Sequence, residues 1–133
     1  MSFCKKYFIF FLLLIPFINF AQSLTCCTSQ IEIENALTGY WKIKNEDSKS
    51  IYHYWFENGR GNVENVKSTG TIGKYKPVEK SHSHIYLKKE ESQFVLEYIY
   101  RYGNWTSALI QLDATHLVLE TNGEITEYYK VKE

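Results

Sequence analysis

Cysteine is scarce in this chain: three in 133 residues, of which only Cys26 and Cys27 lie beyond residue 21. Neighbouring cysteines cannot staple a core, because a bridge across it needs a partner elsewhere in the chain. The fold must therefore rest on its own apolar packing. Three roles stay open for the pair: free thiols in a loose start, a link to another chain, or lipid attachment at Cys26. Charge of one sign is lacking as well, since 15 basic residues cancel 15 acidic ones. A near-neutral chain has no cationic footprint for a line of phosphates, so nucleic acid is not an expected partner. No lysine block marks a membrane surface, and a membrane partner is expected only if Cys26 is lipidated. Also missing are a Gly-x-Ser-x-Gly motif and a Gly-rich phosphate loop, so neither an enzyme nor a bound cofactor is expected. Asn104-Trp105-Thr106 reads as a turn.

One long apolar run is present, and it stands at the start. "MSFCKKYFIFFLLLIPFINFAQS" places Lys5 and Lys6 before an apolar stretch from Tyr7 to Ile18, with the small Ala21 after it. That order is the order of an export signal, and the run is shorter than the roughly 20 residues a membrane-spanning helix needs. The reading divides the chain into a signal peptide at 1–21, a flexible start at 22–28 and one domain at 29–133. Removing 1–21 takes away Lys5 and Lys6 and no acid, leaving 13 basic against 15 acidic residues and a net of −2. The expected location is outside the cytoplasm, periplasmic or secreted, with a lipid-anchored envelope protein as the alternative.

Within the domain, "TSQIEIENAL" is the one expected helix. Ser29 followed by Glu32 has the spacing of a capping box. From Leu37 onward the period becomes two, and strands are expected at 38–45, 50–57, 61–68, 71–78, 83–89, 93–102, 105–112, 115–121 and 124–132. "ENGRG" at 57–61 and "TNGE" at 121–124 carry Asn-Gly hairpin turns. Pro77 sits near the end of its run, where a missing donor does least harm. Breaks at this interval predict an all-β domain, a single antiparallel up-and-down barrel preceded by a short helix.

Aromatics are plentiful: eleven Tyr, eight Phe and three Trp. In "QFVLEYIYRY", Phe94, Leu96, Tyr98, Tyr100 and Tyr102 share one face, against Val95, Glu97, Ile99 and Arg101. In "SIYHYWFE", Tyr52, Tyr54 and Phe56 oppose Ile51, His53 and Trp55. Large side chains on both faces mean that each wall meets the core on one side and a second layer, cavity or partner on the other. Tyrosine suits a cavity, since its body is apolar and its hydroxyl can reach water or a neighbour.

The first strand, "LTGYWKIK", puts Gly39 two residues before Trp41. A glycine there lets the strand coil sharply, so that Trp41 can cross one end of a barrel and plug it. A Gly-x-Trp on the first strand, after a helical turn and before a β-meander, resembles the lipocalin and calycin group. The chain looks most like its small exported bacterial domains, on Leu37/Gly39/Trp41, "YHYWFENG" at 52–59 and "HLVLETNGEITEYYKV" at 116–131. The resemblance covers about residues 29–133. It implies a cup holding a small apolar or amphipathic molecule, and a basic side chain on the Trp. No Arg follows Arg101, so Lys130 or Lys132 would take that place.

The expected ligand-lining set is Trp41, Tyr52, Tyr54, Phe56, Phe94, Leu96, Tyr98 and Tyr100. His82 and His84 in "SHSH" face one way on a strand, but a metal site would need a third ligand such as His53 or His116. No metal site is therefore expected. Glu97 and Arg101 read as a pair on the outer face, where such pairs are worth little. The rival reading is an inhibitor-like module with a filled core. It would dock an envelope protein partner through exposed aromatics, with Trp55 and Trp105 as anchors.

Overall fold

A computed structural model describes residues 24–45, 50–57 and 60–132. The expected leader at 1–21 and the Asn58–Gly59 turn fall outside the described residues. Among the described residues one helix, α1 (Gln30–Leu37), precedes nine strands: β1 (Gly39–Ile43), β2 (Ile51–Glu57), β3 (Arg60–Ser68), β4 (Tyr75–Pro77), β5 (Ser83–Glu90), β6 (Gln93–Tyr100), β7 (Gly103–Leu112), β8 (His116–Thr121) and β9 (Glu124–Lys130). All pairings are antiparallel, β9 returns to pair with β1, and β2 pairs with β3. The sheet therefore closes into an eight-stranded up-and-down barrel with a helix before it. Closure of this kind is how a meander removes its two free sheet edges.

β4 stands outside that count. β3 has one long partner, β2, but its other edge is shared, with Gly61–Val63 pairing to β5 and Val66–Ser68 to β4. The gap between them falls at Asn65, and Ser81 fills it. The Ser81 hydroxyl accepts from the Asn65 amide at 3.1 Å and donates to the Val78 carbonyl at 2.7 Å. The strand expected at 71–78 shrinks to three residues because Thr71 to Lys74 turn. The Lys74 amide reaches the Thr71 carbonyl, and Thr69 reaches the Lys74 carbonyl, both at 3.1 Å.

α1 begins at Ser29, whose hydroxyl accepts from the Glu32 amide at 3.3 Å and donates to the Glu32 carboxylate at 3.0 Å. Helical spacing then buries Ile33 and Leu37 and leaves Ile31 in solvent. Those two buried residues lie four apart, on one face. They cover one end of the barrel, against Trp41, Leu96, Leu109, Leu112 and Leu117. A register shift between Leu109 and Gln111 lets both Leu109 and Leu112 point inward, as a bulge with one extra residue allows.

The cysteines answer the question their scarcity raised in a fourth way. Cys26 and Cys27 are disulfide-bonded to each other. The three roles considered from sequence missed this pairing because neighbouring Cα atoms, here 3.7 Å apart, lie below the roughly 4.4–6.8 Å at which bridges are usually sought. Cys27 is buried against the same core cluster and Leu24 and Cys26 pack partly buried beside it, so the described part of the start expected to be flexible lies against the barrel.

Trp41 is wholly buried, and its indole N–H donates to the Leu37 carbonyl at 2.8 Å. The Lys130 ammonium lies 5.2 Å from the centre of the Trp41 ring and donates to the Ala36 carbonyl at 3.3 Å. Lys130 thus takes the basic position over the Trp. Gly39 makes room for it, since a Cβ there would come within 2.6 Å of Lys130 Cε, and its φ of +139° disfavours other residues. Gly39→Ala is expected to cost about 1–3 kcal/mol through backbone strain. Urea unfolding would measure it, and most of the cost should persist in a Lys130→Ala background, because the crowding atom is the far end of a flexible side chain.

The β7–β8 turn offers a second check. Asp113 accepts from the amides of Thr115 and His116, each at 2.8 Å. The Thr115 amide first, then His116 and the Thr115 hydroxyl, hold its carboxyl at about 2, against an ordinary 3.8, although partial burial pulls the other way. Its contribution to stability is therefore present above pH 3.8 and lost as the pH falls through about 2. Asp113→Asn should flatten that part of an acid-unfolding curve, and Asp113→Ala should in addition cost about 1–2 kcal/mol at neutral pH.

Candidate functional site

Residues paired across neighbouring strands point to the same side of a sheet, so the registers sort the side chains into two faces. The inner face carries Trp41, Tyr52, Tyr54 and Phe56 from β1 and β2, and Val63 and Asn65 from β3. It continues through Ser83 and Ile85, then Leu96, Tyr98 and Tyr100, then Trp105 and Ser107. β8 and β9 add Leu119, Thr121 and Tyr128.

This inner face is solid in one half and hollow in the other. A cavity of about 470 Å³ occupies the half away from α1. Its aromatic lining comes from Tyr52, Tyr54, Tyr98, Tyr100, Trp105 and Tyr128. Polar groups come from Asn65, Ser81, Ser83, Ser107 and Thr121, with Lys80 supplying the one cation of the lining among the described residues. Val63 and Leu119 are its aliphatic residues. A second hollow of about 700 Å³ lies by the β3–β4 corner, lined by Lys42, Ile51, Val66 and Val78 among others. It belongs mostly to the outer face.

Of the eight residues expected to line a cup, Tyr52, Tyr54, Tyr98 and Tyr100 line the cavity and the other four do not. Trp41 and Leu96 are wholly buried in the solid half. Phe56 and Phe94 pack partly buried against that same core. Phe56 lies over Gly61, where an added Cβ would come within 2.7 Å of its ring. All eight point inward, but facing inward does not fix the depth along the barrel, and depth separates lining from filling.

Residues not expected in the lining include Trp105, Ser107, Thr121 and Tyr128. The alternation in "WTSAL" already aligns Trp105, Ser107 and Leu109. Trp105, considered first as an interface anchor, stacks on Tyr98 with ring centres 5.0 Å apart and planes 9° from parallel.

Deep in the cavity wall, the Tyr54 and Tyr98 hydroxyls meet at 3.0 Å, in residues only 3% and 4% exposed. Burial pushes both phenols well above their ordinary 10.0. For Tyr54 the neighbouring Tyr98 adds to the rise, whereas for Tyr98 the bond from Tyr54 opposes it. Both are neutral donors at physiological pH. Nearby, the Ser107 and Thr121 hydroxyls pair at 2.5 Å, and the Tyr52 and Tyr128 rings meet edge to face at 5.9 Å.

The histidines lie on the other side of the wall. His82 and His84 do face the same way, with ring centres 4.9 Å apart. They end a run of stacked rings, Tyr75 on Tyr40, Tyr40 on His53, His53 on Trp55 and Trp55 on His82. His82 Nε2 is 2.9 Å from the Asn62 side-chain oxygen. Burial, then the neighbouring His82 and Arg60, hold His84 below its ordinary value. No group of three or more metal-ligating side chains occurs among the described residues. Glu97 faces outward to Lys88, and the Arg101 guanidinium lies 5.2 Å over the Tyr102 ring, so the expected pair has separate partners.

Comparisons with protein-family models, with curated proteins and with solved structures found no match. The closed eight-stranded meander, the preceding short helix and the Trp41 plug fit a lipocalin-like, calycin fold.

The buried phenols set an alkaline limit. With folded values above the ordinary 10.0, their contribution is whole below pH 10 and is lost as the pH rises toward those values. In an alkaline titration, phenolate absorbance from Tyr54 and Tyr98 should appear only together with loss of the barrel's circular dichroism. Tyr98→Phe should make that loss less steep.

Proposed function

We propose that this chain is an exported, non-catalytic, lipocalin-like container that holds a small apolar or amphipathic molecule inside its barrel. The observation that carries this reading is the cavity inside the barrel, about 470 Å³ of aromatic-lined space above a floor sealed by Trp41 and α1. Small-molecule sites are typically concave, roughly 300–1,000 Å³, and set in barrel mouths. Export rests on the leader order at 1–21, and a Cys26–Cys27 disulfide suits an oxidising compartment. A lipid anchor on Cys26 would require that sulfur to leave the disulfide. The outer aromatics, by contrast, are engaged with one another, which weighs against the docking-module reading.

Native mass spectrometry of the purified chain with a panel of fatty acids and naphthyl compounds would test this. A one-to-one complex is expected. Thr121→Trp, which pushes an indole into the lined space, should abolish it while leaving the melting transition in place. Failure of every probe to bind the folded wild type would sink the container reading.

A further inference from the structure

Two hydroxyls carry two hydrogens, and the contact between Tyr54 and Tyr98 uses one of them. Neither hydroxyl has another hydrogen-bond partner among the described residues. One O–H of the pair therefore has no acceptor among the described residues and is left to whatever occupies the cavity that both residues line. A buried donor without an acceptor costs about 1–3 kcal/mol, so whatever fills the space does best by bringing an acceptor to that point.

The rest of the wall narrows what carries the acceptor. Trp105 and Tyr98 form a flat double ring, and Trp105 is 40% exposed. Most other lining groups are phenols, hydroxyls or an amide. An alkyl chain would strip water from them and return nothing, whereas a flat ring lays its face on the indole and turns its rim toward the hydroxyls. The charge pattern narrows it further. Lys80, the one cation in the lining among the described residues, is not a partner of the phenol pair, and the pair's single O–H compensates a buried carboxylate poorly but a neutral carbonyl well.

We propose that the cavity selects a planar aromatic molecule bearing a neutral carbonyl, with the carbonyl oxygen accepting from the Tyr54/Tyr98 pair and the ring lying along Trp105. This rests on the container reading and specifies its ligand class.

Equilibrium dialysis with three probes tests it: 2-acetylnaphthalene, 2-ethylnaphthalene, which has the same ring and no acceptor, and laurate as the alkyl arm. The ketone is expected to bind at least about fivefold more tightly than the hydrocarbon, the worth of one hydrogen bond, and more tightly than laurate. In Tyr54→Phe/Tyr98→Phe the preference for the ketone should fall to within about twofold. A measurement independent of that variant is the infrared carbonyl band of the ketone bound to wild type, which should lie below its position in cyclohexane. Equal binding of ketone and hydrocarbon, or an unshifted band, overturns the phenol assignment and leaves the container standing. Preference for laurate overturns the planar class alone. Binding of none of the three removes both.

Discussion

Everything above the barrel floor depends on how the Trp41 indole is held. A buried indole N–H needs an acceptor, and the last turn of a helix has carbonyls that nothing within the helix can satisfy. The chain joins these two needs, with Trp41 donating to Leu37 and Lys130 donating to Ala36 at the same helix end. α1 is thereby fixed across the end of the barrel by the strand that follows it and the strand that closes the sheet. Removing a buried aromatic of this size typically costs about 3–5 kcal/mol. Glycine adopts the positive φ at position 39 without the strain another residue would meet there. Gly39, Trp41 and Lys130 work as one unit, because the glycine clears the path by which the lysine reaches the ring.

With that end sealed, the interior sorts itself by depth. Along β6 the inward series runs from Phe94 and Leu96 to Tyr98 and Tyr100. β7 descends beside it from Trp105 and Ser107 to Leu109 and Leu112, and β8 climbs from Leu117 and Leu119 to Thr121. Each of these strands places apolar groups toward α1 and a hydroxyl-bearing group away from it. The aliphatic half packs solid, as close-packed cores do. In the other half the hydroxyls pair across strands, as Ser107 does with Thr121 and Tyr54 with Tyr98, and line the cavity.

Much of this was legible in the sequence. Period-two alternation located eight of the strands to within a few residues, and it told inner from outer face at Phe94, Leu96, Tyr98 and Tyr100. Ser29 and Glu32 marked the helix start, and the Asn122–Gly123 turn closes the last hairpin with both residues at positive φ. Depth was not legible. Alternation says which way a side chain points, but how far along the axis it sits depends on the stagger of each strand against the next, which is a property of the closed sheet. For that reason Trp41 and Leu96 were grouped with Tyr98 and Tyr100 although they lie in the solid half. Other misses were local. Ser81 filling the gap in β3, and Cys26 bonding its own neighbour, are single contacts that no periodic signal announces.

The outer face explains why the wall has large side chains on both sides. His53 and Trp55 would be liabilities on an exposed surface, since large apolar patches invite association. Here Tyr75, Tyr40, His53, Trp55 and His82 lie against one another in sequence, crossing β4, β1 and β2 and ending beside β5. Each inner ring of that run has both neighbours close, so little of its face is left for a partner. The run also brackets the place where β3 divides its edge between β4 and β5, the one irregular part of the wall. Stacked rings bridging strands with few ladder bonds would stiffen that corner. The aromatic surplus thus serves two ends, with outer rings stacked on each other and inner rings lining the cavity.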